Sequence, residues 1–267
     1  MTNKILFCIF LVVVSVGQFI IVHKWAIAGN EPLQDYAIKL EINLEKPIYA
    51  LGESVTLNIR IANTGDSPIT LPNTPNVYAG YLNIWIARRG DEFRRYNSQS
   101  WGIREMPGII LKPDQPHQTK ATLLWNGRPQ ILNPHSDIIP TDFAFPDAGV
   151  YFIKAVVTIP DRKSADDRTR IESQPIQITV SEPFGEDLEV WNQIKDSGEI
   201  ASFIQRGSFL TSNDEEEAKL VKNVRQLVER YPNSFLSNQM KQKLAGFHTM
   251  REKRKALLEK HGTKPVN

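Results

Sequence analysis

The apolar residues of this chain change their period once, close to Ser181, and that change constrains the fold more than any other feature. A period of two places alternate side chains on opposite faces of a strand, whereas a period near 3.6 lines one side of a helix. Before Ser181, Ile38, Leu40, Ile42 and Leu44 alternate with polar neighbours, as do Val55, Leu57, Ile59 and Ile61. The pattern returns at Leu82, Ile84 and Ile86, at Tyr151, Ile153, Ala155 and Val157, and at Ile176, Ile178 and Val180. Turn signals separate these runs: Leu51-Gly52-Glu53, Asn63-Thr64-Gly65-Asp66, Arg89-Gly90-Asp91, Asn126-Gly127 and Asp147-Ala148-Gly149. Short alternating runs punctuated by Gly, Pro and Asn predict an antiparallel β-sandwich over 35–181.

After Ser181 the spacing is helical. Leu188, Trp191 and Ile194 predict one short helix, and Ile200, Phe203 and Ile204 a second. Ser212 to Glu215 reads as a capping box ahead of Leu220, Val221, Val224, Leu227, Val228 and Tyr231. Tyr231-Pro232-Asn233-Ser234 breaks the chain, and Leu236, Met240, Leu244 and Phe247 share the next face. Acids at 214–217 and the bases Lys253, Arg254, Lys255 and Lys260 sit where a helix dipole favours each sign. The expected class is mainly β plus α, a sandwich followed by an α-helical region over 182–262.

The N-terminus carries a different signal. An apolar run from Ile5 to Val22 follows Lys4, and Ala26 and Ala28 give a small-x-small pattern with cleavage expected before Gly29. The run exceeds the ~7–15 residues of a usual signal core and reaches the lower end of the ~17–25 that span a bilayer. Residues 1–28 therefore read as a signal peptide or an N-terminal membrane anchor, and both place the body outside the cytoplasm: periplasmic, secreted or held at the outer face of the inner membrane. Without Lys4 and Lys24, the 32 basic residues fall to 30, level with the 30 acidic ones. A neutral body has no global field to attract nucleic acid, so no nucleic-acid partner is expected. The lone cysteine, Cys8, lies inside the apolar run, so the body has no disulfide and relies on its core.

The stretch Lys46-Pro47-Ile48-Tyr49-Ala50-Leu51-Gly52-Glu53-Ser54-Val55-Thr56-Leu57, continuing through Asn63-Thr64-Gly65, resembles bacterial exported immunoglobulin-like β-sandwich modules. Leu111-Lys112-Pro113-Asp114 and Phe145-Pro146-Asp147-Ala148-Gly149-Val150-Tyr151 look like two further stretches of that pattern, the second with a tyrosine packing at the sandwich corner. The resemblance implies an immunoglobulin-like fold and says little about function. Leu227-Val228-Glu229-Arg230-Tyr231-Pro232-Asn233-Ser234 resembles the turn of one tetratricopeptide-type unit, too few to form a solenoid.

The candidate binding residues are Arg94, Arg95, Tyr96, Trp101 and Arg104, in an aromatic and basic stretch with Tyr78, Tyr81, Trp85 and Phe93. Arginine beside an exposed ring offers planar hydrogen bonding and a large contact area; the plainer reading is that some of these rings fill the core. The connection over 92–117 is long for a sandwich. Arg89-Gly90-Asp91 spells a tripeptide read by integrins, though Gly-Asp also simply makes a turn. His135, Ser136, Asp137 and Asp142 lie close together without a recognised catalytic or metal signature, and His117 and His248 are isolated. The basic tail from His248 to Lys264 is interrupted by Glu252 and Glu259 and reads as a solvated helix end.

These features suggest a non-catalytic binding or scaffold protein of the cell envelope, with a protein or glycan partner and no cofactor or metal. The membrane enters only through the N-terminal segment. Two rival classes remain: a protease inhibitor presenting the 92–117 loop or the Gly90 tip, and an enzyme using His135 and Asp137.

Overall fold

Val55, Leu57, Ile59 and Ile61 are each at most 1% exposed, so the strand that carries them runs through the centre of a core. The computed structural model describes residues 37–71, 74–77, 81–96, 107–127, 142–160, 168–209 and 213–261. The chain divides into two units, Met1–Asp35 and Tyr36–Asn267. The first lies outside the described residues, and with it Ala26, Ala28 and Gly29.

Two sheets form the β part. The three-stranded sheet has the order β1 (Ile38–Leu44), β3 (Val55–Asn63), β8 (His117–Leu123), all antiparallel. The six-stranded sheet runs β2 (Ile48–Ala50), β13 (Ile176–Ser181), β11 (Gly149–Pro160), β5 (Leu82–Arg88), β6 (Arg94–Tyr96), with β12 (Arg168–Glu172) paired to the later half of β11. Two short pairs, β4 (Ile69–Leu71) with β7 (Ile109–Leu111) and β9 (Trp125–Asn126) with β10 (Asp142–Phe143), complete it. Leu40, Ile42, Leu57 and Ile59 of one sheet share a buried cluster with Ile84, Ile153 and Ile178 of the other. Each such burial contributes about 1.5–3 kcal/mol.

Three local expectations need correction. The sandwich is not wholly antiparallel, because β2 pairs parallel with β13 through Ile48↔Thr179 and Tyr49↔Val180. Gly52, at φ +80°, turns the chain there from the large sheet into the small one. Asn126 is fully buried in the β9–β10 pair rather than in a turn, since Phe143 must seat opposite Trp125. The 92–117 segment is not one loop: β6 and β7 fall within it, each too short for a period to show.

Tyr151 behaves as a corner residue. It is 3% exposed, its hydroxyl donates to the Asp147 carbonyl at 2.8 Å, and Phe145 meets its ring edge-on at 5.1 Å.

The helices are α1 (Glu186–Ile194), α2 (Gly198–Arg206), α3 (Asp214–Arg230) and α4 (Phe235–His261). Val190, Trp191 and Ile194 bury the inner side of α1, while Leu188 stays 38% exposed because it falls off that face. The Asn213 side chain accepts from the N–H groups of Glu215 and Glu216, so the cap of α3 is Asn213, one residue later than the expected Ser212. α3 and α4 pack through Val221, Val224 and Leu227 against Leu236, Met240 and Leu244.

The helical layer and the strands share one core. The Phe143 ring meets Trp125 at 5.3 Å and Trp191 at 4.7 Å. Two glycines allow the close approach. A Cβ on Gly52 would lie 2.8 Å from Trp191 Cε3, and one on Gly198 would lie 2.5 Å from Trp125 Cζ2. Among the described residues no helix is long and apolar enough to cross a membrane.

Candidate binding face on the six-stranded sheet

Alternation along β5 buries Leu82, Ile84 and Ile86 and turns Trp85 to the other face, where it is half-buried. Register then decides its neighbours. Trp85 stands between Arg95 of β6 and Lys154 of β11. β12 folds back along β11 with Glu172 opposite Val156 and Arg170 opposite Thr158. Side chains at alternate positions share a face, so Lys154, Glu172 and Arg170 come together there.

The contacts are close. Lys154 Nζ lies 2.6 Å from one oxygen of Glu172, and Arg170 Nε donates to the other at 2.7 Å. The Arg170 guanidinium lies 4.8 Å from the centre of the Trp85 ring, and Lys154 Nζ lies 4.7 Å from that of Phe93. Such cation–ring contacts contribute about 0.5–1 kcal/mol when exposed. Partial burial pushes the Glu172 carboxyl up, but its hydrogen bonds with Lys154 and Arg170 and their positive charges outweigh burial, leaving it below the usual carboxylate range. The indole Nε1 of Trp85 is sheltered and has no hydrogen-bond partner among the described residues.

Of the five binding residues expected from the sequence, the structure keeps Arg95 on this face, half-buried, while Arg94 is exposed on the edge strand β6. Tyr96 must be withdrawn. It pairs with Ile84 on the inward face, is 3% exposed, and its hydroxyl donates to the Trp125 carbonyl at 2.8 Å. The Gln205 amide of α2 donates to the Tyr96 hydroxyl oxygen at 2.9 Å, and its Oε1 accepts from Trp125 N–H at 2.6 Å. Tyr96 is therefore a strut between β6 and the helical layer. Trp101 and Arg104 lie outside the described residues, as do Tyr78, His135, Ser136 and Asp137.

Lys154, Arg170 and Glu172 were missed in the sequence, although the outward spacing of Arg170 and Glu172 around Ile171 was a visible signal.

Other polar groups have structural roles. Glu53, 7% exposed, is held by Lys46 at 2.5 Å and by the Ala50 N–H at 3.1 Å. It borders a cleft lined by Tyr49, Gly52, Phe143 and Phe145 that is closed to anything as large as water. Arg89 and Asp91 flank Gly90, at φ +95°, in an exposed turn where Asp91 N–H donates to the Arg88 carbonyl at 2.9 Å. Among the described residues no group of three or more His, Cys, Asp or Glu is placed to hold a metal ion.

No protein-family model matches the sequence, and neither does any curated protein. Solved structures that align with it include a β-glucosidase from Erythrobacter marinus (15% identity, 54% of this chain and 15% of that one, TM-score 0.28). A sporulation control protein from Bacillus subtilis aligns at 15% identity over 59% of this chain and 54% of its own, with TM-score 0.28. The CARDB domain of a Pyrococcus furiosus protein, solved with di-metal ions, aligns at 13% identity over 55% and 94%, with TM-score 0.27. The chain thus spans less than two thirds of the first two. Likeness at this level carries no functional argument.

Proposed function

We propose that this is a non-catalytic binding protein of the cell envelope, working outside the cytoplasm, which captures its partner on the outer face of the six-stranded sheet. The observation that carries the reading is Trp85, half-buried between Arg95 and Lys154 with the Arg170 guanidinium stacked on its ring. Rings and guanidinium groups concentrate binding energy because they offer rigid contact area and several donors at once. The export-type N-terminal sequence, from Lys4 to Gly29, supports the compartment. A protein or a glycan of the envelope fits the face.

The test is crosslinking and pull-down from the native envelope with the full chain and two variants, Trp85→Ala and Arg95→Glu. Both are expected to lose the captured partner by about tenfold or more, as at a binding hot spot. Undiminished capture by Arg95→Glu, whose long side chain leaves the core untouched, places the site elsewhere.

A further inference from the structure

We propose that this face takes a carboxylate-bearing glycan chain and that Glu172 holds the place of a ligand carboxylate until one arrives. The inference rests on the binding reading above and names its ligand.

Charge is the first argument. Register brings Arg95, Lys154, Arg170 and Glu172 onto the face, three cations against one acid among the described residues, in a chain whose body is formally neutral. Among the described residues, Glu172 is the acid that pairs with both Lys154 and Arg170, one through each oxygen. An incoming carboxylate offers the same two oxygens to the same two cations, and arginine is suited to such planar pairing.

The position of the cluster is the second. Trp85 lies on β5 and is paired on both sides, by Arg95 of β6 and Lys154 of β11, so at Trp85 itself there is no free edge to which a peptide could add. Recognition at Trp85 falls to side chains alone. Two rings, Trp85 and Phe93, lie beside the cations and suit the apolar faces of sugar rings that carry acid groups. An acidic peptide has matching charge but lacks those flat apolar faces.

Release of the internal carboxylate gives the proposal its sign. Replacing Glu172 by glutamine removes a competitor and frees two cations, so binding should tighten. A purely structural network gives the opposite result, because loss of Glu172 loosens both cations.

The experiment measures binding of the full chain, in mild detergent, to alginate oligomers, with dextran as the neutral glycan and poly-glutamate as the acidic peptide. Alginate should bind, weaken as salt is raised to about 0.3 M, and outcompete poly-glutamate, while dextran should fail. Glu172→Gln should bind about threefold tighter, and Lys154→Ala and Arg170→Ala about fivefold weaker, the scale of single exposed ion pairs. Arg170→Lys should recover part of the loss. Weaker binding by Glu172→Gln, equal binding of dextran, equal or better binding of poly-glutamate, or no acidic polymer bound at all each overturns the proposal. The two readings fail separately. Partner capture lost in Arg95→Glu without alginate binding rejects only the ligand class, whereas capture that survives in Arg95→Glu rejects the face itself.

Discussion

Asp187, in the first turn of α1, accepts the Ser234 hydroxyl at 2.6 Å, and the same carboxylate oxygen accepts the Leu236 N–H at 3.1 Å. Ser234 Oγ in turn accepts the Ser237 N–H at 3.1 Å. One helix thus caps the start of another across 47 residues of sequence. Asp187→Ala should destabilise the fold by about 1–2 kcal/mol, the usual range for a lost cap. Asp187→Asn, which keeps an acceptor, should lose less. Denaturant titration reads both, and a double variant with Ser234→Ala should fall short of the sum of the singles, since the two residues share one network.

Two glycines should respond oppositely to alanine. At Gly198 a Cβ meets Trp125 at 2.5 Å, so Gly198→Ala is expected to cost about 1–3 kcal/mol by overpacking. Gly246, inside α4, has nothing within 4 Å of an added Cβ, so Gly246→Ala should stabilise by about 0.5–1 kcal/mol. Equal melting shifts for the two would contradict the docking of α2 on Trp125.

Tyr96→Phe removes the hydroxyl that links the Trp125 carbonyl to Gln205. The expected loss is about 1–3 kcal/mol of stability, the penalty for stranding buried polar groups. Partner capture per folded molecule should stay unchanged, because the ring faces inward.

His117 gives the pH dependence. Its pKa is lowered from the ordinary 6.5 by burial, so the unfolded chain binds more protons between the two values. Stability is then full above pH 6.5 and declines as pH falls through the lowered folded value. Glu172, also lowered in the folded state, adds a second decline that begins only below its ordinary 4.5. Denaturant midpoints at successive pH values should show both steps. His117→Gln should flatten the upper one and leave the lower in place.

The strands were legible because their inner faces are apolar and their outer faces polar: Leu57, Ile59 and Ile61 announce β3 without reference to any partner. The helices were legible for the same reason at a different period. Tyr96 was not, because β6 has three residues and only its pairing with Ile84 shows which way each points. The binding face was legible in part. Arg95 and Trp85 are near neighbours in sequence, but Lys154 and Arg170 reach them only through the register of β11 and β12. The contact of helices and sandwich depends on missing atoms at Gly52 and Gly198, and a glycine does not announce which ring will fill its space.

The parallel pairing of β2 with β13 has a consequence for the order of assembly. Tyr49 meets Val180, and the Ser181 hydroxyl donates to the Tyr49 carbonyl across 132 residues. Loop closure over such a distance is slow, because chain entropy is spent before the contact forms. The hairpins within the sandwich have far shorter loops to close, so the β2–β13 pairing is expected to form after them. A chain that stops short of Ile176 keeps two open strand edges, at β2 and along the first half of β11, and such edges recruit other chains. The final strand is the latch of the large sheet, and a chain caught before it closes is a seed for aggregation.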